Sequence, residues 1–320
     1  MPKDRDTGEK KKFNLFNFFA KKDDPVGVDP NEPLITDNPN FVNFFKLFVR
    51  KFSNITLINI MTVLCNFPFF FFLIGISGYF SGHTAAPAYN LYPHLSGIVG
   101  EKLSPASAAL YGTYSLQTKV TVLSTTDYVF FYLSLLLVFT IGISSVGAIY
   151  LHRNMVRGEH VSLLSDYFDT IKRNIKQALI FGVIDSIIIG LLVYDAAFLR
   201  VNRMSGTTSG IMFVAVAFLI ILYYLVRTYI YTMIVTFDMP IRKMFKNGLI
   251  LSIVGFKRNI CYVLGSAAVI ALNYLLLVVY FPIGIILPFM IVPSALTFLG
   301  EYCIFPNIMK YMVEDEGKSE

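Results

Sequence analysis

Long apolar stretches separated by short polar segments dominate the chain. Six runs are long enough to cross a bilayer: about Ile55–Tyr79, Tyr128–Leu151, Ala178–Phe198, Ile211–Val235, Ile260–Phe281 and Ile283–Phe305. About 20 mostly apolar residues suffice to span the hydrocarbon. Pro68 marks a kink in the first run. Pro282 makes the fifth and sixth either a tight hairpin or one broken unit, and Pro288 and Pro293 leave open whether 283–305 spans fully or re-enters. The pattern predicts an all-α polytopic membrane protein of about six transmembrane helices, with three two-span hairpins as one arrangement.

Two segments alternate apolar and polar residues at helical spacing instead. Phe41, Phe44, Phe45 and Phe48 repeat among Lys46, Arg50 and Lys51, which predicts a short interfacial helix leading into the first span. In Val161–Gln177, Leu164, Tyr167, Phe168, Ile171 and Ile175 share one face, and Asp166, Lys172, Arg173 and Lys176 lie largely off it. That predicts an amphipathic cytoplasmic helix, either a partner-docking face (Leu164, Tyr167, Phe168, Ile171) or a connector at the membrane surface. Residues 1–40 read as a basic, aromatic tail and a Pro-rich linker, 41–80 as interfacial helix and first span, and 81–127 as an extracytoplasmic insertion. Residues 128–305 form the remaining membrane domain, and 306–320 a cytoplasmic tail. The first forty residues hold no cleavable apolar core.

Composition supports lipid as the solvent. The chain is 55% hydrophobic and 15% charged, with mean hydropathy +0.60, whereas soluble domains carry roughly 25% charged residues. The net charge of +6 does not point to nucleic acid, because Lys and Arg gather beside the apolar runs. Ten lie in 1–54, five in 152–177, five in 237–259 and two in 306–320; the opposite side holds only Lys102, Lys119, Arg200 and Arg203. The positive-inside rule then places both termini in the cytoplasm of a cell-membrane protein. Cys65, Cys261 and Cys303 each fall in an apolar run and read as small buried hydrophobes. Lys51-Phe-Ser-Asn54-Ile55, Lys172-Arg-Asn174-Ile175 and Lys257-Arg-Asn259-Ile260 each open an outgoing run. This echo is either a threefold repeat or the common need for a basic flank and a capping Asn.

Polar residues inside the runs are costly and therefore candidates for function. They are Asn59, Asn66, Asp185, Asp195, Arg227, Asn273 and Glu301, of which Asp195 and Glu301 lie near run ends. Asp185 and Arg227 stand out. At ~1.5 Å per residue they lie roughly 12 Å and 14 Å from the cytoplasmic ends of consecutive runs, so they meet as an ion pair if those helices are neighbours. His83 and His94 in the insertion lack the Cys or carboxylate companions of a metal site. No phosphate loop, HExxH or GxSxG motif is present, so neither enzyme activity nor a cofactor is expected.

Around the second and third runs stand Gly142, Gly147-Ala148, Tyr150, Arg153-Asn154, Arg157-Gly158-Glu159, Ser165-Asp166-Tyr167-Phe168, Asn174 and Lys176-Gln177. This set, with Asn59 in the first run, resembles the YesL-like family of integral membrane proteins from Gram-positive bacteria, which have no assigned activity. Two features depart from that pattern: Ile143 stands where the family tends to have Pro, and the long 81–127 insertion parts the first two runs. The genes of that family often sit beside carbohydrate ABC importers. The resemblance implies an accessory component of sugar import, with importer permease subunits and the bilayer as partners. An autonomous small-solute transporter or channel is the alternative.

Overall fold

The computed structural model describes residues 40–87, 117–201 and 207–313. Eleven helices and one two-stranded ribbon make up the described residues. Four helical runs are long and apolar enough to cross a membrane: Thr125–Val156, Leu163–Arg200, Gly210–Thr236 and Phe256–Val279. Two bent pairs raise the total to six if each counts as one span. The chain is therefore a helical, polytopic membrane protein. Its contacts divide into two compact units, residues 67–137 and the remainder.

The smaller unit holds α3 (Pro68–Ser77), β1 (Gly82–Pro87), β2 (Gln117–Val122) and α4 (Thr125–Ser134). α3 and α4 pack through phenylalanines, and Gly75 lets the Phe131 ring come within 3.2 Å of where a Cβ would stand. Ser124 and Asp127 form a capping box that starts α4, and Ser81 Oγ donates to the same Asp127 carboxylate at 2.8 Å. β1 and β2 pair antiparallel, Gly82 opposite Val122 and Pro87 opposite Gln117. The 81–127 insertion thus begins and ends as a ribbon, while His94, Glu101 and Lys102 lie outside the described residues.

The larger unit opens with α1 (Phe41–Arg50) and α2 (Phe52–Cys65), which meet at 71°. α1 packs Phe44 and Phe48 against Phe298 and presents Phe41, Phe45 and Val49 outward. The apolar run expected at Ile55–Tyr79 is not one helix: α2 stops at Cys65, and Pro68 is the first residue of α3. Proline has no N–H for the helical ladder and clashes with the carbonyl four residues back, so it starts helices and breaks them.

α5 (Leu137–Val156), α6 (Leu163–Val201), α7 (Thr207–Thr236), α8 (Ile241–Val254), α9 (Phe256–Val279), α10 (Phe281–Met290) and α11 (Val292–Ile308) complete this unit, followed by a π-helical turn at Met309–Val313. α7 is the hub. Its last three turns, from Leu225 to Val235, are almost entirely buried among α5, α6, α8, α9 and α11. Pro282 produces the tight-hairpin alternative: α9 ends at Val279, α10 begins at Phe281, and a Cβ on Gly284 would stand 2.2 Å from Leu277 Cα. α10 and α11 bend by 53° at Ile291, so 281–312 is a broken helix.

Candidate functional site

Two helix ends shape the region around Arg157-Gly158-Glu159. α5 closes in a Schellman turn: Gly158 takes φ 73°, Glu159 N donates to Asn154 O at 2.9 Å, and Gly158 N donates to Met155 O at 3.2 Å. Arg157 and Glu159 flank that glycine as an exposed ion pair at 2.8 Å. α6 then begins after Ser162, whose N–H donates to Asp166 Oδ2 at 2.8 Å. Asp166 therefore satisfies a donor at a helix N-terminus, where its charge also suits the dipole.

α5 and α6 cross where both lack side chains. A Cβ on Gly142 would lie 2.2 Å from Ala178 O, and one on Gly182 would lie 2.8 Å from Gly142 Cα. Small residues permit such backbone contact in lipid. Gly147 makes room for the Tyr167 ring, whose hydroxyl donates to Ser144 O at 3.3 Å.

This packing corrects the expected docking face. Tyr167 and Ile171 are buried in the fold, Leu164 is half-buried, and Phe168 and Ile175 are 46% and 41% exposed. Nor is Val161–Gln177 a separate interfacial helix: α6 runs unbroken from Leu163 to Val201. Helical spacing marked an apolar stripe but could not tell which of two adjacent aromatic residues meets protein. Asn174 donates to Thr170 O, one turn back in its own helix. Asn259 instead donates to Leu251 O and Ser252 O at the end of α8, so the echoing asparagines play different parts.

Arg153 and Asn154 fall beyond the apolar run that ends at Leu151, where a cytoplasmic loop is expected, yet α5 continues to Val156 and buries both. Arg153 Nη1 donates to Val235 O at 2.7 Å and to Thr236 Oγ1 at 2.9 Å, and Asn154 Oδ1 receives Nε and Nη2. A cation thus closes the C-terminus of α7, where free carbonyls and the helix dipole favour positive charge.

The structure brings Asp185 and Arg227 together. Arg227 Nε donates to both carboxylate oxygens, at 2.9 and 2.8 Å. Tyr223 and Tyr231 hydroxyls donate to the same carboxylate, each at 2.8 Å. Tyr231 also lies under the guanidinium, 5.1 Å from ring centroid to Cζ. Four hydrogen bonds therefore converge on a carboxylate that is fully buried within the fold. Charge spacing pointed to the pair; the two tyrosines, one turn either side of Arg227, could have been found by the same i±4 rule.

The remaining intramembrane polar residues divide by task. Asn59 is fully buried: Nδ2 donates to Phe289 O at 2.8 Å and Pro288 O at 3.3 Å, and Oδ1 accepts from Ser294 N at 2.9 Å. It bridges the α10–α11 break by satisfying groups on both sides. Asn66 donates to Ser144 Oγ at 2.6 Å, and Asn273 donates to Gly284 O at 3.0 Å across the α9–α10 hairpin. Asp195 is exposed. Glu301 is fully buried in α11 rather than interfacial, and accepts a hydrogen bond from Thr232. Near it, His152 Nδ1 meets Thr297 Oγ1 at 3.0 Å. His152 lies just past the apolar run that ends at Leu151, so no intramembrane polar position marked it. Among the described residues, no three His, Cys, Asp or Glu side chains converge to hold a metal.

With the geometry in place, comparison adds one match. Residues 122–196 match the family described as "Protein of unknown function, DUF624". The matched segment takes in α4, α5 and most of α6, so it contains the Gly142–Gly182 crossing, the Schellman turn and Asp185. No curated protein and no solved structure matches the chain.

Proposed function

We propose that this protein is a YesL-like component of the cell membrane, with both termini cytoplasmic, that serves as a non-catalytic partner of a carbohydrate ABC importer. The observation that carries this reading is the length and surface of α6. Its 39 residues extend roughly 58 Å at ~1.5 Å each, against about 30 Å of hydrocarbon. The surplus belongs to the Leu163–Gln177 end, which is basic and presents Phe168 and Ile175 outward between Lys172, Arg173 and Lys176. An apolar patch rimmed by charge on a rigid rod is a form suited to docking. The sugar-import context comes from the family resemblance.

Affinity capture from native membranes in mild detergent tests the proposal. The wild-type chain should bring down importer permease subunits, and Phe168→Glu should lose them while keeping wild-type folded yield. Tyr167→Ala should instead lower the folded yield, because that ring fills the space beside Gly147. Capture of the protein alone would overturn the importer reading. Solute movement by the purified protein in liposomes would then favour the transporter alternative.

A further inference from the structure

We propose that Glu301 and His152 form a proton-carrying pair inside the membrane domain, Glu301 holding the proton as a neutral acid and His152 Nε2 serving as its acceptor. The pair lies on the seam where α5, α7 and α11 meet, and both side chains are fully buried. Thr297 and Phe298 hold the His152 ring: the Thr297 hydroxyl is 3.0 Å from Nδ1, and the Phe298 ring packs edge-on with centroids 6.0 Å apart. Glu301 follows these two residues on α11 by four and three positions. Residues at that spacing are neighbours on one helix face.

The protons can be counted. A threonine hydroxyl has one hydrogen, and a carbonyl oxygen only accepts. Thr232 Oγ1 lies 2.9 Å from Thr228 O and also touches Glu301 Oε1. Both contacts are hydrogen bonds when the hydroxyl donates to the carbonyl and the carboxyl donates to the hydroxyl. The contrast with Asp185 favours that arrangement. Four hydrogen bonds reach Asp185, two of them from a guanidinium. Glu301 has one hydroxyl, and its second oxygen is sealed from solvent. A carboxyl buried with so little support takes up a proton instead of a charge. Arg153, the residue after His152, serves Val235 O, Thr236 Oγ1 and Asn154 Oδ1 rather than Glu301.

The same count fixes the histidine. Thr297 Oγ1 donates toward Ser294 O at 3.0 Å and Pro293 O at 3.2 Å. His152 Nδ1–H is then the donor to Thr297, and Nε2 carries the lone pair of a neutral ring. A neutral acid and a neutral base one helical turn apart are the parts of an intramembrane proton relay. Transfer breaks the Glu301 O–H bond and forms N–H at Nε2, leaving a carboxylate and an imidazolium with total charge unchanged. The inference does not depend on an importer partner.

Infrared spectroscopy of the full-length protein in nanodiscs at neutral pH tests it. Carbon-13 labelling of glutamate should shift the C=O stretch of a protonated carboxylic acid. Glu301→Gln, whose amide donates to Thr232 in the acid's place, should remove that stretch and keep the folded yield. If that variant does not fold, the isotope shift in the wild type still decides, because Glu159 is exposed and ion-paired. In heavy water the stretch should move as O–H becomes O–D. His152→Asn keeps an N–H for Thr297 but has no Nε2, and should slow this exchange at least about tenfold. Absence of a protonated glutamate stretch in the wild type, or equal exchange rates in the wild type and His152→Asn, would overturn the proposal.

Discussion

Asp185 shows how one buried charge can be held in a bilayer protein. Its carboxylate accepts from Arg227 Nε, Tyr223 and Tyr231, and none of these reaches it through water. Removing one partner of such a pair leaves the other charged and unmatched, at a typical cost of about 3–5 kcal/mol. Asp185→Asn and Arg227→Gln should each lower the unfolding midpoint and the folded yield by that scale, and the double variant should recover part of the loss. Strictly additive losses in a double-mutant cycle would contradict direct coupling. The glycines offer a second test at this scale. Gly142→Leu should abolish folded protein, because no Cβ fits beside Ala178 O, whereas Gly190→Ala should be neutral, since nothing lies within 4 Å of its Cβ position.

At the scale of elements, breaks matter as much as helices. α10 and α11 part at Ile291, and Asn59 from α2 meets two carbonyls of one and an N–H of the other. Asn59→Leu would leave these groups unsatisfied in an apolar setting, at about 1–3 kcal/mol for each group. Asn59→Asp keeps the acceptor for Ser294 N but loses the donor to Pro288 and Phe289. Thermal unfolding in detergent should therefore rank wild type above Asn59→Asp and Asn59→Leu, with Asn273→Leu less harmful because it loses only one hydrogen bond. The α5–α6 hairpin makes a related point. Gly142, Gly147, Arg153, Gly158, Asp166 and Tyr167 each build the hairpin itself, as crossing, space for a ring, helix end, turn or cap. All six lie within the matched segment 122–196.

For the whole molecule, the distribution of Lys and Arg predicts that both termini face the cytoplasm and that the 81–127 insertion faces out. In a background free of Cys65, Cys261 and Cys303, an impermeant thiol reagent on intact cells should label Glu101→Cys and leave Glu159→Cys and Lys246→Cys unlabelled. The opposite pattern would invert the protein in the membrane and move the exposed end of α6 away from any cytosolic partner.

The sequence by itself determined most of the apolar runs, the gathering of Lys and Arg between them and the matched positions of Asp185 and Arg227 along consecutive helices. Each of these follows from spacing along the chain, because helix rise and bilayer thickness are constants. Only the tertiary structure decided which apolar residues meet protein and which meet lipid. Tyr167 is buried and Phe168 exposed, although both are apolar and adjacent. In water a polar face would have marked the outside, but in lipid both faces of a helix are apolar, so periodicity carries little about packing. The same holds for Arg153, Glu301 and Asn59. Their partners lie 82, 69 and 230 positions away, and no local pattern encodes a hydrogen bond that forms only once the helices have come together.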